Sequence, residues 1–198
     1  MNLDAELTNE KRGKSVITWS AIFLIASWLS ITADLLNPNS DTLKISDLLY
    51  LPIIPGIIVT YFLTWRWLRS IVISAKLIDP VEIGYRQGWA FWGWVTPIAF
   101  LWIPRRLVER SHKVFTSYLG EEYTLRLGGW WGLFVATIII DNFSFRASVT
   151  GAGAEGLVYV DIVSTILLTI AFPKWKLIVE TVSNTQRNVI SKAQTEVI

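Results

Sequence analysis

The sequence predicts an all-α integral membrane protein, with four transmembrane helices and a Trp/Pro-rich segment that re-enters the membrane or lies at its interface. Three observations predict it. Apolar types make up 52% of the 198 residues and charged types 17%, against roughly 25% charged in soluble domains. The apolar residues gather into runs close to the length of a membrane-crossing helix. The basic residues between those runs fall on one side of the membrane only if one run does not cross.

Composition also excludes several chemistries. There is no Cys, so disulfides, thiolate nucleophiles and Cys-ligated metals are out. A single His, His112, leaves no His-rich metal site. A formal net charge of +2 gives no argument for a nucleic-acid partner. No motif requires a cofactor or a metal, and no residue is nominated as catalytic.

The first span is expected over about 15–35. Val16 to Ala33 is an uncharged run of 18 residues behind Lys11, Arg12 and Lys14. It is longer than a signal-peptide core and no A-x-A site follows it, so it reads as an uncleaved span. The second span, about 48–68, contains the 18-residue run Leu48 to Trp65, bounded by Asp47 and Arg66. The fourth and fifth runs give spans at about 127–145 and 156–174, the latter interrupted by Asp161. At 1.5 Å per residue a hydrocarbon core of roughly 30 Å needs about 20 residues, so none of these is generous. The polar tail 180–198 and the first 14 residues are expected in water.

The third run, 87–104, decides the topology. Cytoplasmic loops retain Lys and Arg. If all five runs cross, with the N-terminus inside, 8 basic residues lie inside and 10 outside. If 87–104 returns to the side it left, the division is 16 inside and 2 outside. Pro97 near the middle removes a backbone donor and disfavours helix at Thr96. Each arm is about 8 residues, or roughly 12 Å, too short to cross. Trp89, Trp92, Trp94 and Trp102 suit an interface. Five spans with a Pro-kinked third helix are the alternative. In the four-span arrangement Trp19, Trp65, Trp67, Trp130, Trp131 and Trp175 fall near cytoplasmic helix ends.

The candidate sites follow from that topology. Trp65, Arg66, Arg69, Trp89, Trp92, Arg105, Arg106 and Arg110 form a cytoplasmic aromatic and basic rim, suited to anionic lipid or a partner protein. His112, among them, is expected exposed. Asp34, Asp141 and Asp161 lie near the outer ends of three spans, a candidate ion site, since ionisable groups inside a membrane point to function. Gly128 and Gly132 (a G-x-x-x-G) and Pro97 are candidates for close helix packing or, for the glycines, a dimer face. Gly151 to Gly156 matches G-x-G-x-x-G, but without the strand–helix context or acid of a dinucleotide site; it reads as a loop, and no nucleotide is expected.

Some of these residues carry a resemblance. Phe62-Leu63-Thr64-Trp65-Arg66-Trp67-Leu68-Arg69 closes the second span. Gly88-Trp89 precedes Trp92 and Trp94, then Pro97-Ile98-Ala99, Leu101 and Pro104. Gly129-Trp130-Trp131 opens the next span, and Val182-Ser183-Asn184-Thr185-Gln186 follows the last. Over about 60–186 the chain resembles the bacterial membrane-protein family known as domain of unknown function 4328. It departs from the family at Arg86-Gln87, where Ser-Pro is usual, and at Phe100, where Asn is usual. The resemblance implies a membrane architecture and a prokaryotic source, and no reaction. The expected function is that of a non-enzymatic inner-membrane protein with both termini cytoplasmic, its partners being membrane lipids, a protein or a second copy. A small transporter or channel using the outer acids is the alternative.

Overall fold

The structure, a computed structural model, describes the backbone of residues 3–36, 45–123, 125–150 and 157–196. The described residues are helical, with turns and no strand. In chain order the helices are α1 (Leu3–Leu36), α2 (Ile45–Ile78), α3 (Pro80–Ile83), α4 (Trp89–Val95), a 3-10 turn (Ala99–Leu101), α5 (Ile103–Leu119), α6 (Gly128–Thr150) and α7 (Leu157–Thr195). Among the described residues, three stretches are long and apolar enough to cross a membrane: Glu10–Leu36, Pro55–Ile78 and Leu157–Thr195. The G-x-G-x-x-G segment, 151–156, lies outside the described residues.

The chain divides into two compact units. One comprises Met1–Ile17, Tyr61–Leu127 and Lys176–Ile198; the other comprises Thr18–Thr60 and Gly128–Trp175. Helices α1, α2 and α7 contribute a stretch to each.

The first unit has a core that extends into the polar tail 180–198. In α7, Ile178, Val179, Val182, Gln186, Val189 and Ile190 are buried. Their spacing of three and four is that of one helix face. The expected polar tail is thus a packed half-helix, because its apolar residues are few but in register. In α2, Trp67, Leu68, Ile71, Val72 and Ala75 repeat the pattern, and in α5 Leu107, Val108, Ser111, His112 and Phe115 do so. Gly13 of α1 comes so close to α7 that an added Cβ would stand 2.8 Å from Ser183 Oγ. That hydroxyl accepts from Trp67 Nε1 at 3.0 Å.

The second unit packs on aromatic and small polar groups. Trp130 stacks on Trp175, their centroids 4.6 Å apart, and Trp28 Nε1 donates to Thr169 Oγ1 at 3.0 Å. Many of its exposed side chains are large and apolar, among them Ile25, Leu29, Ile58, Ile139, Phe143, Tyr159 and Ile170. This inverts the usual surface of a water-soluble fold and suits a lipid environment. Trp67, Trp130, Trp131 and Trp175 are buried. They are core residues, packed within the protein at the helix ends.

Segment 87–104 is not one rod. Helix α4 is 7 residues long and ends where Thr96 turns extended, at φ −78° and ψ 118°, the conformation a following Pro imposes. Gly93 is buried against α5; a Cβ there would stand 2.9 Å from Ile103 Cγ2. Pro104 is tolerated because it occupies the first turn of α5, where its missing N–H has no helical partner to lose.

Candidate functional site

The exposed large apolar side chains of the first unit concentrate on one run of elements. Tyr61 and Phe62 of α2 are exposed, as are Phe91, Trp92 and Val95 of α4 and Ile98, Leu101 and Trp102 beyond it. Rings join α4 to α2 directly. Trp94 meets Tyr61 edge-on at 6.1 Å, and Phe91 meets Trp65 edge-on at 5.6 Å. Tyr61 and Trp65 belong to the apolar stretch Pro55–Ile78. Helix α4 therefore lies beside a segment able to cross a membrane, with its own apolar face uncovered by protein.

Charge borders that face. Arg66 sits over the Phe62 ring at 5.8 Å and Arg69 over Trp65 at 5.9 Å, each four residues on and so on the same helix face. Both arginines are exposed. At the start of α5, Leu101, Trp102, Arg105, Arg106 and Glu109 line a pocket of about 390 Å³. Beside it, burial and then the Glu109 carboxylate push the Tyr123 phenol above its usual range, against the pull of Arg105.

Of the expected rim residues, Trp65, Arg66, Arg69, Trp92, Arg105 and Arg106 lie on these elements, and Trp89 is half-buried at the head of α4. Arg110 is otherwise engaged. Its guanidinium donates to the carbonyl of Ile83 at 3.1 Å and lies 5.2 Å from the Tyr85 ring centroid. It thereby holds the end of α3, where Gly84 takes a left-handed φ of 65° that favours glycine. One residue pair along, Lys113 binds Glu82 at 3.0 Å. Residues just before segment 87–104 thus meet residues just after it. Glu109 is not singled out by the sequence, and Leu101 and Trp102 stand out only as part of the Trp/Pro-rich segment; the signal available for Glu109 was its i, i+4 spacing from Arg105.

His112 is the clearest correction. It is 1% exposed, because α5 turns every third or fourth residue inward and His112 shares the face of Val108 and Phe115. Its Nε2 lies 3.4 Å from Thr185 Oγ1, and Nδ1 has no protein partner. Burial holds its pKa below the ordinary value of 6.5.

A family model described as "Domain of unknown function (DUF4328)" matches residues 39–182. The chain belongs to this family. The DUF4328 match runs from ahead of α2 to about two-thirds of the way along α7, and so takes in the whole aromatic and basic face. It stops before Ser183, leaving Thr185 and Gln186 outside it, and it excludes α1 and Asp34. No curated protein and no solved structure matches the chain.

Elsewhere in this DUF4328 chain, α6 and α7 exchange polar contacts crosswise. Ser144 donates to Asp161 at 3.0 Å, and Ser164 donates to Asp141. Asp34 lies within electrostatic reach of Asp161. Yet among the described residues no three acids or histidines are placed to hold a metal ion. The expected trio is two acids occupied by serines with a third nearby. Gly128 and Gly132 are exposed, and among the described residues a Cβ at either would meet nothing within 4 Å. Pro97 acts as the breaker between α4 and the 3-10 turn.

Proposed function

We propose that this is a bacterial cytoplasmic-membrane protein, termini inside, that holds its α4–α5 face in the headgroup layer and binds anionic phospholipid there. The observation that carries this is the seating of Trp94 and Phe91 against Tyr61 and Trp65. Those α2 positions belong to an apolar stretch, so the uncovered side chains of α4 share its surroundings. The break at Pro97, the exposed Trp92 and Trp102, and Arg66, Arg69, Arg105 and Arg106 fit an interfacial element: aromatic rings favour headgroup depth and basic side chains favour anionic lipid, at about 1 kcal/mol each. The contact of Glu82 with Lys113 supports a segment that returns to the side it left. The 16-to-2 division of basic residues supports the cytoplasm as that side.

The test is lipid enrichment. Full-length protein is extracted from bilayers of mixed phosphatidylcholine and phosphatidylglycerol, and the retained lipid is weighed by mass spectrometry. Wild type enriches the anionic lipid; Arg66, Arg69, Arg105 and Arg106 changed together to Gln lose the enrichment. Equal retention of both lipids by wild type, or enrichment that survives the substitutions, rejects the proposal.

A further inference from the structure

The pocket at the head of α5 has a composition that general attraction to anionic lipid does not require. Arg105, Arg106 and Glu109 line it together. Arg105 and Glu109 stand at i, i+4, where an acid and a base ordinarily pair. No ion pair joins Glu109 to either arginine; ion pairs that form among the described residues use Glu10, Glu82 and Glu180. Arg105 Nε is shielded from solvent and has no partner. An unpaired, partly desolvated charge is costly unless something satisfies it. The shielded Arg105 Nε calls for an acceptor, while Glu109 at the same pocket offers an acceptor of its own to a donor.

Each lining group then has a chemical counterpart. Guanidinium forks match phosphate oxygens, with two parallel donors per guanidinium. The Glu109 carboxylate accepts from a cation one helical turn away. Trp102 is 40% exposed at the same pocket, and an indole face attracts a cation. The geometry points to a phosphoester carrying a primary ammonium group, with the phosphate on Arg105 and Arg106 and the ammonium between Glu109 and Trp102, where its N–H groups, absent from a choline headgroup, donate to the Glu109 carboxylate. This rests on the proposed function, since it names the headgroup that the same face takes. The rim as a whole favours anionic leaflets through its field; the pocket selects one kind of headgroup through Glu109.

The experiment is calorimetric titration of full-length protein held in an amphipathic polymer. The probes are dihexanoyl phosphatidylethanolamine, dihexanoyl phosphatidic acid, phosphoethanolamine and inorganic phosphate. Wild type binds the ethanolamine lipid about ten-fold more tightly than the phosphatidic acid. Glu109→Gln, nearly isosteric at a half-buried site, removes that preference and leaves the phosphatidic acid at wild-type affinity or tighter. Arg105→Lys weakens both lipids by about ten-fold through loss of the fork. Phosphoethanolamine binding as tightly as the lipid assigns the pocket to a soluble phosphoester; binding that needs the acyl chains assigns it to a membrane headgroup. The inference is overturned if wild type does not distinguish the two lipids, if inorganic phosphate binds as tightly as phosphoethanolamine, or if Glu109→Gln leaves the ratio unchanged with an unaltered melting transition. The proposed function fails separately, by equal retention of phosphatidylglycerol and phosphatidylcholine in the extraction, whatever the titrations give.

Discussion

His112 shows how one side chain can be misread from its neighbours in sequence. Arg110 and Lys113 flank it, and Arg105 and Arg106 precede it, so it reads as part of a basic surface. The helical repeat of α5 puts it instead among Val108, Phe115 and Thr185. Its folded-state pKa lies below 6.5, so between the two values the unfolded chain binds the extra proton. Stability then rises with pH through that window and is lost as pH falls below the ordinary histidine range. Unfolding followed from pH 7.5 to 5 should show this loss in wild type and a flatter profile in His112→Gln; parallel profiles would exclude His112 as the cause. Gly93 was legible only as part of a Trp-rich run. Its reason is spatial, the 2.9 Å a Cβ would leave to Ile103 Cγ2. Gly93→Ala should cost about 1–3 kcal/mol by overpacking, read as a lower melting midpoint, whereas Gly128→Ala, which meets nothing within 4 Å, should leave the midpoint unchanged.

At the scale of elements, the apolar runs were legible because a crossing helix needs only length and hydrophobicity. The C-terminal halves of α2 and α7 were not, because their signal is a period and not an average. Between Trp175 and Ile190 the charged residues Lys176, Glu180 and Arg187 lower the mean hydropathy, while Ile178, Val179, Val182, Val189 and Ile190 keep a continuous stripe. A window scored by periodicity would have found it. The break at Pro97 was legible for the opposite reason: proline's effect on its predecessor is local. The contacts of α6 with α7 were half legible. The acids stood out, but nothing in sequence pairs Asp161 with Ser144 or Asp141 with Ser164. Interhelical hydrogen bonds of this kind contribute about 0.6 kcal/mol on average in membranes, and up to about 1.7. Ser144→Ala and Ser164→Ala should each lower the melting midpoint by a corresponding few degrees. The double variant should lose the sum of the two, since each serine serves a different acid; a loss no larger than one single variant's would show that the two contacts act as one unit.

For the whole molecule, composition and charge carried most of what could be read. They point to a membrane chain whose basic residues share a side, and the three apolar helices and the DUF4328 match agree with a membrane protein. The packed core built from the ends of α1, α2 and α7 with α5 lay beyond them, since it joins segments more than a hundred residues apart, as Gln186 Nε2 on Ser74 Oγ at 2.8 Å illustrates. The account stands on segment 87–104 returning to the side it left, and the absence of Cys makes that directly measurable. Val81 and Ser117 are exposed on either side of the segment, so single cysteines are placed there, with Ala154→Cys as the outside reference. Treated in intact cells with an impermeant thiol reagent, Ala154→Cys should label, while Val81→Cys and Ser117→Cys should both stay unlabelled until the membrane is opened. Labelling of Ser117→Cys in intact cells alongside a protected Val81→Cys would mean that the segment crosses the bilayer, and would contradict the account.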